Sequence, residues 1–194
     1  MVAMAVLVAA LVLALFAVVL VPVGAATDDR SRSRTAADAA ALAGAQAMAE
    51  QWVDVVTAPG LLRFGPPLTR LLPGTGSGAA ASYATANGSS VTSYGADVRR
   101  GRATVVVRSN TSPLPENGSA EARAVAQVRA ELGGCRWDDP LPATAEPVFE
   151  RTLECGEWEA TYLIANDGLL YPTLSYVGDS RDELLEDLEP RLVD

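Results

Sequence analysis

The chain has 194 residues and a net charge of −9, from 24 acidic and 15 basic side chains. The length suits one domain with an extension, and the acidic balance argues against nucleic acid as a partner, because phosphate binding needs a basic surface. The sequence contains no histidine, so the commonest general base and the commonest metal ligand are both missing.

The first segment of the chain is strongly apolar. Residues 1–26 contain no charged side chain, and residues 2–21 are apolar throughout. Because about 20 apolar residues form a helix that crosses a bilayer, the segment predicts a transmembrane anchor over residues 1–26, which Pro22 is expected to interrupt near its end. The alternative is a signal peptide cleaved after Ala25, but the apolar region is long for one and no basic residue precedes it.

Two features give opposite indications for the orientation of this anchor. Arg30, Arg32 and Arg34 follow the apolar segment, and arginines beside a span favour the cytoplasmic side. Cys135 and Cys155 are the only cysteines, and a lone pair in a small domain favours one disulfide and an oxidising compartment. Two unpaired thiols are the alternative. We expect a single pass through a bacterial cytoplasmic membrane, with the C-terminal domain outside it.

Residues 27–58 predict an alanine-rich stem helix, since alanine is the best helix former. Thr35 is its expected N-cap, and Pro59-Gly60 ends it. The stem is either the core helix of one domain or a helix that packs laterally on other protomers. Small side chains allow such close approach, and the residues predicted to pack are Ala36, Asp38, Ala40, Ala43, Gly44 and Ala47.

Residues 34–45, RTAADAAALAGA, directly follow the apolar segment. This arrangement resembles the opening of TadE/TadG-like proteins, the pseudopilin-like components of tight-adherence (Flp) pilus systems. Residues 79–88 and the two strands expected after them are similar to the helix, Asn-Gly turn and hairpin of small TadE-like proteins. The resemblance implies a membrane protein whose partners are other pilin-like or Tad assembly subunits.

The remaining chain divides into three parts. Residues 59–78 form a connector rich in proline and glycine. Residues 79–134 predict a helix-hairpin-helix unit, in which a short helix over 77–86 precedes strands over 90–99 and 103–109 and a second helix covers 120–132. Residues 135–194 predict a disulfide-tied β-hairpin followed by an acidic C-terminal helix.

The C-terminal part carries the clearest local signals. A loop is expected over residues 136–154. Alternating apolar residues predict a strand over 157–165, the turn Asn166-Asp167-Gly168 predicts a hairpin, and the strand returns over 169–177. Ser180 and Glu183 have capping-box spacing and open a helix over 181–188.

The sequence therefore predicts an α+β fold, in which a transmembrane helix extends into the stem and packs on antiparallel hairpins and short helices. No catalytic triad, zinc set or nucleophile motif occurs, so we expect no enzyme, no metal site and no cofactor. The predicted function is a non-catalytic, membrane-anchored, exported component of a pilus-like or secretion assembly. The alternative is a secreted or anchored extracytoplasmic module that binds a small ligand or a cell-envelope component. Its groove would be lined by Trp137, Trp158, Tyr162 and Tyr171.

Overall fold

The computed structural model describes the main chain of residues 2–57, 75–110, 120–130, 133–138, 148–156, 158–165, 173–178 and 180–193. Side chains are described in the same ranges, except for residues 2–27 and 173–174. The fold is α+β, as predicted, with two antiparallel sheets. The predicted turn Asn166-Asp167-Gly168 and most of the connector, residues 59–74, lie outside the described residues.

One helix, α1, runs without a break from Val2–Thr57. Its 56 residues correspond to about 84 Å at a rise of 1.5 Å per residue. The expected interruption at Pro22 is therefore wrong, because a proline removes one main-chain hydrogen bond and bends a helix more readily than it ends one. The expected cap at Thr35 is also wrong, because α1 begins well before it. Thr35 lies inside α1, where its hydroxyl donates to the Ser31 carbonyl.

The predicted anchor, residues 1–26, lies outside the part of the chain whose side chains are described. Within that part, no helix holds a stretch of sufficient length and apolar character to cross a membrane.

The first sheet follows α1. Helix α2 spans Ser77–Ala86, and strands β1 (Ser89–Asp97) and β2 (Arg102–Ser109) form the predicted hairpin. Strand β3 spans Glu121–Gln127 and pairs with β2, and β8 (Arg191–Leu192) pairs with the end of β3. The strand order is β1-β2-β3-β8.

The predicted second helix over residues 120–132 is wrong, because residues 121–127 are strand β3. Its alanines fit a helical repeat and a repeat of two equally well. The strand forms because every residue from Glu121 to Gln127 pairs with β2. It buries Ala124 and Ala126, on the same face as Val105 and Ala103 of β2.

The second sheet has the order β4-β5-β6-β7. Its strands are β4 (Arg136–Trp137), β5 (Val148–Cys155), β6 (Trp158–Ala165) and β7 (Thr173–Tyr176). The strand and its return are confirmed as β6 and β7. The loop predicted over residues 136–154 is wrong at both ends, where β4 and β5 lie. The predicted disulfide joins Cys135 to Cys155, with their Cα atoms 4.0 Å apart.

The last helix, α3 (Arg181–Asp187), begins with the predicted capping box. The Glu183 main-chain N–H donates to the Ser180 hydroxyl, and the Ser180 N–H donates to the Glu183 carboxylate at 2.7 Å. The hydrogen bond from the Ser180 main-chain N–H, and secondly the Ser180 side chain, lower the pKa of Glu183. Arg181 pairs with Asp54 at 3.1 Å, which ties α3 to the C-terminal end of α1.

Candidate functional site

The small residues of α1 lie on two adjacent stripes that face the interior of the domain. Ala36 and Ala40, both predicted to pack, have no exposed surface. The neighbouring stripe was not predicted, although it repeats at the same spacing of four; it consists of Ala37, Ala41, Ala45 and Ala49, all fully buried. The side chains of α1 therefore cover the first sheet and α2 over several turns, because alanine lets helix and sheet approach closely.

Gly44 lies where α1, α2 and the first sheet meet. A Cβ atom at Gly44 would lie 2.9 Å from the Tyr94 hydroxyl, and one at Gly76 would lie 2.1 Å from the Gly44 carbonyl oxygen. Gly76 has φ +76°, which favours glycine. The Tyr94 hydroxyl donates to the Thr75 carbonyl, and burial raises the pKa of Tyr94. Gly44 is therefore a packing residue within the chain, because the main chain at Gly76, the Tyr94 ring and the Ala103 side chain all approach it.

The other three predicted residues, Asp38, Ala43 and Ala47, are half-buried. Ala43 lines an open groove of about 410 Å³ between α1, α2 and the segment before β8. Tyr83, which is 56% exposed, borders this groove. The other lining residues are Ala39, Leu42, Gln46, Glu189 and Pro190. Ala43 is therefore one of the predicted packing residues that a second helix could reach from outside.

The N-terminal part of this helix also contains the residues that match a known protein family. Residues 1–47 match the family model described as "Tad: Putative Flp pilus-assembly TadE/G-like". The resemblance seen in the sequence is confirmed over that segment, and it points to Flp pilus assembly. No curated protein and no solved structure matches the chain.

The TadE/G-like segment contains all six residues predicted to pack. It ends at residue 47, next to Met48 in the buried part of α1, so the matched residues supply both the apolar N-terminus and most of the helix that supports the first sheet. The role of Ala36, Asp38, Ala40, Ala43, Gly44 and Ala47 in packing between subunits stays a prediction.

Outside the TadE/G-like segment, the aromatic residues proposed to line a groove divide into different environments. Trp158 and Tyr162 are 7% and 2% exposed, so they belong to the core. Trp158 packs edge-on against Trp52 of α1 with ring centroids 6.4 Å apart. Trp137 is half-buried, with the Arg151 guanidinium 5.1 Å from the ring centroid. Tyr171 lies outside the described residues. The prediction that Trp158 and Tyr162 line an aromatic groove is therefore wrong.

Tyr162 joins the second sheet to the end of α1. Its hydroxyl donates to the Val56 carbonyl at 2.9 Å, which satisfies one of the carbonyls that a helix leaves unpaired in its last turn. Burial, and secondly the charge of Tyr176, raise the pKa of Tyr162. The folded chain therefore keeps this phenol protonated at a pH where the unfolded chain begins to ionise it.

The raised pKa of Tyr162 determines how the free energy of unfolding depends on pH. Stability from Tyr162 is fully present below pH about 10, the value for the unfolded residue, and falls as the pH rises further, because the unfolded state releases its proton first. We expect the free energy of unfolding to fall above pH 10, and Tyr162→Phe to make that fall shallower. Urea unfolding at pH 8 and 10.5 measures both. An equal fall in wild type and variant would contradict the assignment.

Among the described residues, no group of three or more histidine, cysteine, aspartate or glutamate side chains is placed to hold a metal ion.

Proposed function

We propose that the chain is a non-catalytic, minor pseudopilin-like component of a Flp pilus assembly. Residues 1–26 anchor it by a single pass in the bacterial cytoplasmic membrane, and the domain built on the rest of α1 lies outside the membrane. The observation that carries the proposal is the match of residues 1–47 to a TadE/G-like family model. Proteins of that family are membrane-associated and generally non-catalytic.

The course of α1 supports the proposal. The same helix contains the apolar N-terminal segment and the stem, without a break between Val2 and Thr57. A domain whose core is built directly on a membrane helix is held close to the membrane, where other helix-anchored subunits are within reach. The groove beside Ala43 then lies on the outer side of the stem, and a neighbouring subunit's helix would pack into it against small side chains.

Ala43→Leu tests this proposal. A leucine would fill the groove beside α1, and we expect copurification of Tad assembly subunits with the tagged full chain from detergent-solubilised membranes to fall on the order of tenfold, equivalent to about 1.4 kcal/mol. The domain should stay folded, because Ala43 is only half-buried. Circular dichroism of the purified variant checks the fold.

The matched control is Ala81→Leu, the same change at an exposed position of helix α2. It should leave copurification unchanged. Leucine at Ala40 or Gly44 is unsuitable as a probe, because both residues are buried inside the domain. A folded Ala43→Leu protein that copurifies its neighbours as well as Ala81→Leu does would overturn the groove as the subunit contact.

A further inference from the structure

Among the described residues, only part of the outer edge of strand β3 is paired. Strand β8 pairs only with Ala126 and Gln127 of β3, and the Val193 N–H donates to the Val125 carbonyl at 2.9 Å. Main-chain groups of alternate residues in an antiparallel strand point to the same side, so those of Arg123 face the same edge as those of Val125. Among the described residues, none pairs with that edge at Arg123.

A cavity of about 460 Å³ lies beside this edge. Three of its lining side chains are arginines, Arg34 of α1, Arg102 of β2 and Arg123 of β3, and one is acidic, Asp38. The side chains that line the cavity therefore carry a net positive charge, although the net charge of the chain is −9. Thr104, Ala124, Val125, Leu192 and Val193 complete the lining.

These arginines have unused hydrogen-bonding capacity. Arg102 donates to the neutral Gln127 side chain at 2.8 Å. Arg34 and Arg123 have no hydrogen-bond or ion-pair partner within the part of the chain that the structure describes. On the same face of the sheet, Arg108 is paired with Glu121 at 2.7 Å. A guanidinium binds a carboxylate through two parallel hydrogen bonds, so an arginine cluster suits an anionic partner such as an acidic peptide.

We propose that this edge and its arginines bind an extended, acidic peptide segment of a partner protein, which adds to the first sheet as a strand beside β3. The main chain of the segment would pair with Arg123, as in other cases of strand addition. Its carboxylates would bind the Arg34, Arg102 and Arg123 side chains. The inference rests on the proposed function for its biological setting, because it names the chemistry of one assembly partner.

The probe is an end-blocked octapeptide in which valine alternates with glutamate, titrated into the full chain in detergent micelles and followed by fluorescence anisotropy. We expect binding that weakens with salt. Arg123→Glu should weaken binding at least about tenfold, whereas the control Arg129→Glu, at an exposed position beyond β3, should leave binding unchanged. Peptides with glutamine for glutamate, or with methylated main-chain nitrogens, should bind much more weakly.

Charged side chains also protect sheet edges against pairing, and a purely protective role predicts no binding of the peptide. That result, or equal binding of the glutamine peptide, would overturn the proposal. Equal binding of the methylated peptide would overturn strand addition. Ala43→Leu should bind the peptide like the wild type, so failure of the groove contact and failure of this site give separate results.

Discussion

Replacing Trp52 with alanine is expected to lower the free energy of unfolding by about 3–5 kcal/mol, the usual cost of truncating a large buried aromatic side chain. Trp52 has no exposed surface and packs against Trp158 of β6. It is therefore one of the residues through which α1 contacts the second sheet, together with Val56, whose carbonyl accepts from Tyr162. Urea unfolding of the full chain in detergent micelles, followed by circular dichroism, measures the loss.

Trp52→Phe is the matched control. The indole N–H of Trp52 is buried and has no hydrogen-bond acceptor among the described residues. Phenylalanine therefore loses no hydrogen bond and removes an unsatisfied donor, which offsets part of the lost volume. We expect a loss of less than about 1.5 kcal/mol. If Trp52→Ala cost no more than Trp52→Phe, then α1 would not be the shared core of the two sheets.

The parts of the fold that could be predicted are those with strong local signals. The capping box of Ser180 and Glu183, the β1–β2 hairpin and strand β6 each depend on residues within one short segment. In β6, apolar residues alternate with polar ones over most of the strand, and the inward residues from Trp158 to Ile164 are all buried. Such patterns determine the element because the local and tertiary preferences agree.

Strands β3 and β5 are two of the strands that could not be predicted, because the tertiary structure decides them. Strand β3 has an alanine-rich sequence that suits a helix, and only pairing with β2 along its length makes it a strand. In β5, Arg151 occupies an inward position, which breaks the apolar alternation. Arg151 is only 9% exposed. Trp137 and Asp138 face its guanidinium, and neither contact is visible in the sequence near β5.

The candidate site, too, could be predicted only in part. Small side chains at Ala36, Ala40 and Gly44 predict close approach of another main chain, but a stripe of small residues does not identify what approaches. Gly76 is the neighbour at Gly44. It lies in the part of the sequence predicted as connector, where no periodic pattern indicates contact with α1. The edge of β3 was missed entirely, because it depends on a strand that was predicted as a helix.

Removing the disulfide is the second change with a large expected effect. The double variant Cys135→Ser, Cys155→Ala should lower the free energy of unfolding by about 3 kcal/mol, because the bridge closes a loop of 20 residues and restricts the unfolded chain. Alanine is chosen at Cys155, which is fully buried, so that no unpaired hydroxyl enters the core. Wild type and variant are compared by urea unfolding, with and without a reducing agent.

The reducing agent distinguishes the effect of the disulfide on stability from the effect of the two substituted side chains. Reduction should destabilise the wild type by about 3 kcal/mol and leave the double variant unchanged, since only the loop constraint is lost. Equal stability of oxidised wild type and variant would mean that β4 and β5 hold together without the bridge.

The same bond reports the side of the membrane on which the domain lies, because disulfides persist in oxidising compartments and cytosolic thiols stay reduced. If the proposed topology is correct, Cys135, which is half-buried, should react with a maleimide in native membranes only after reduction. Reaction before reduction, in a protein that remains in the membrane fraction, would place the domain in the cytoplasm. It would also agree with the arginines after the apolar segment, which favour the cytoplasmic side.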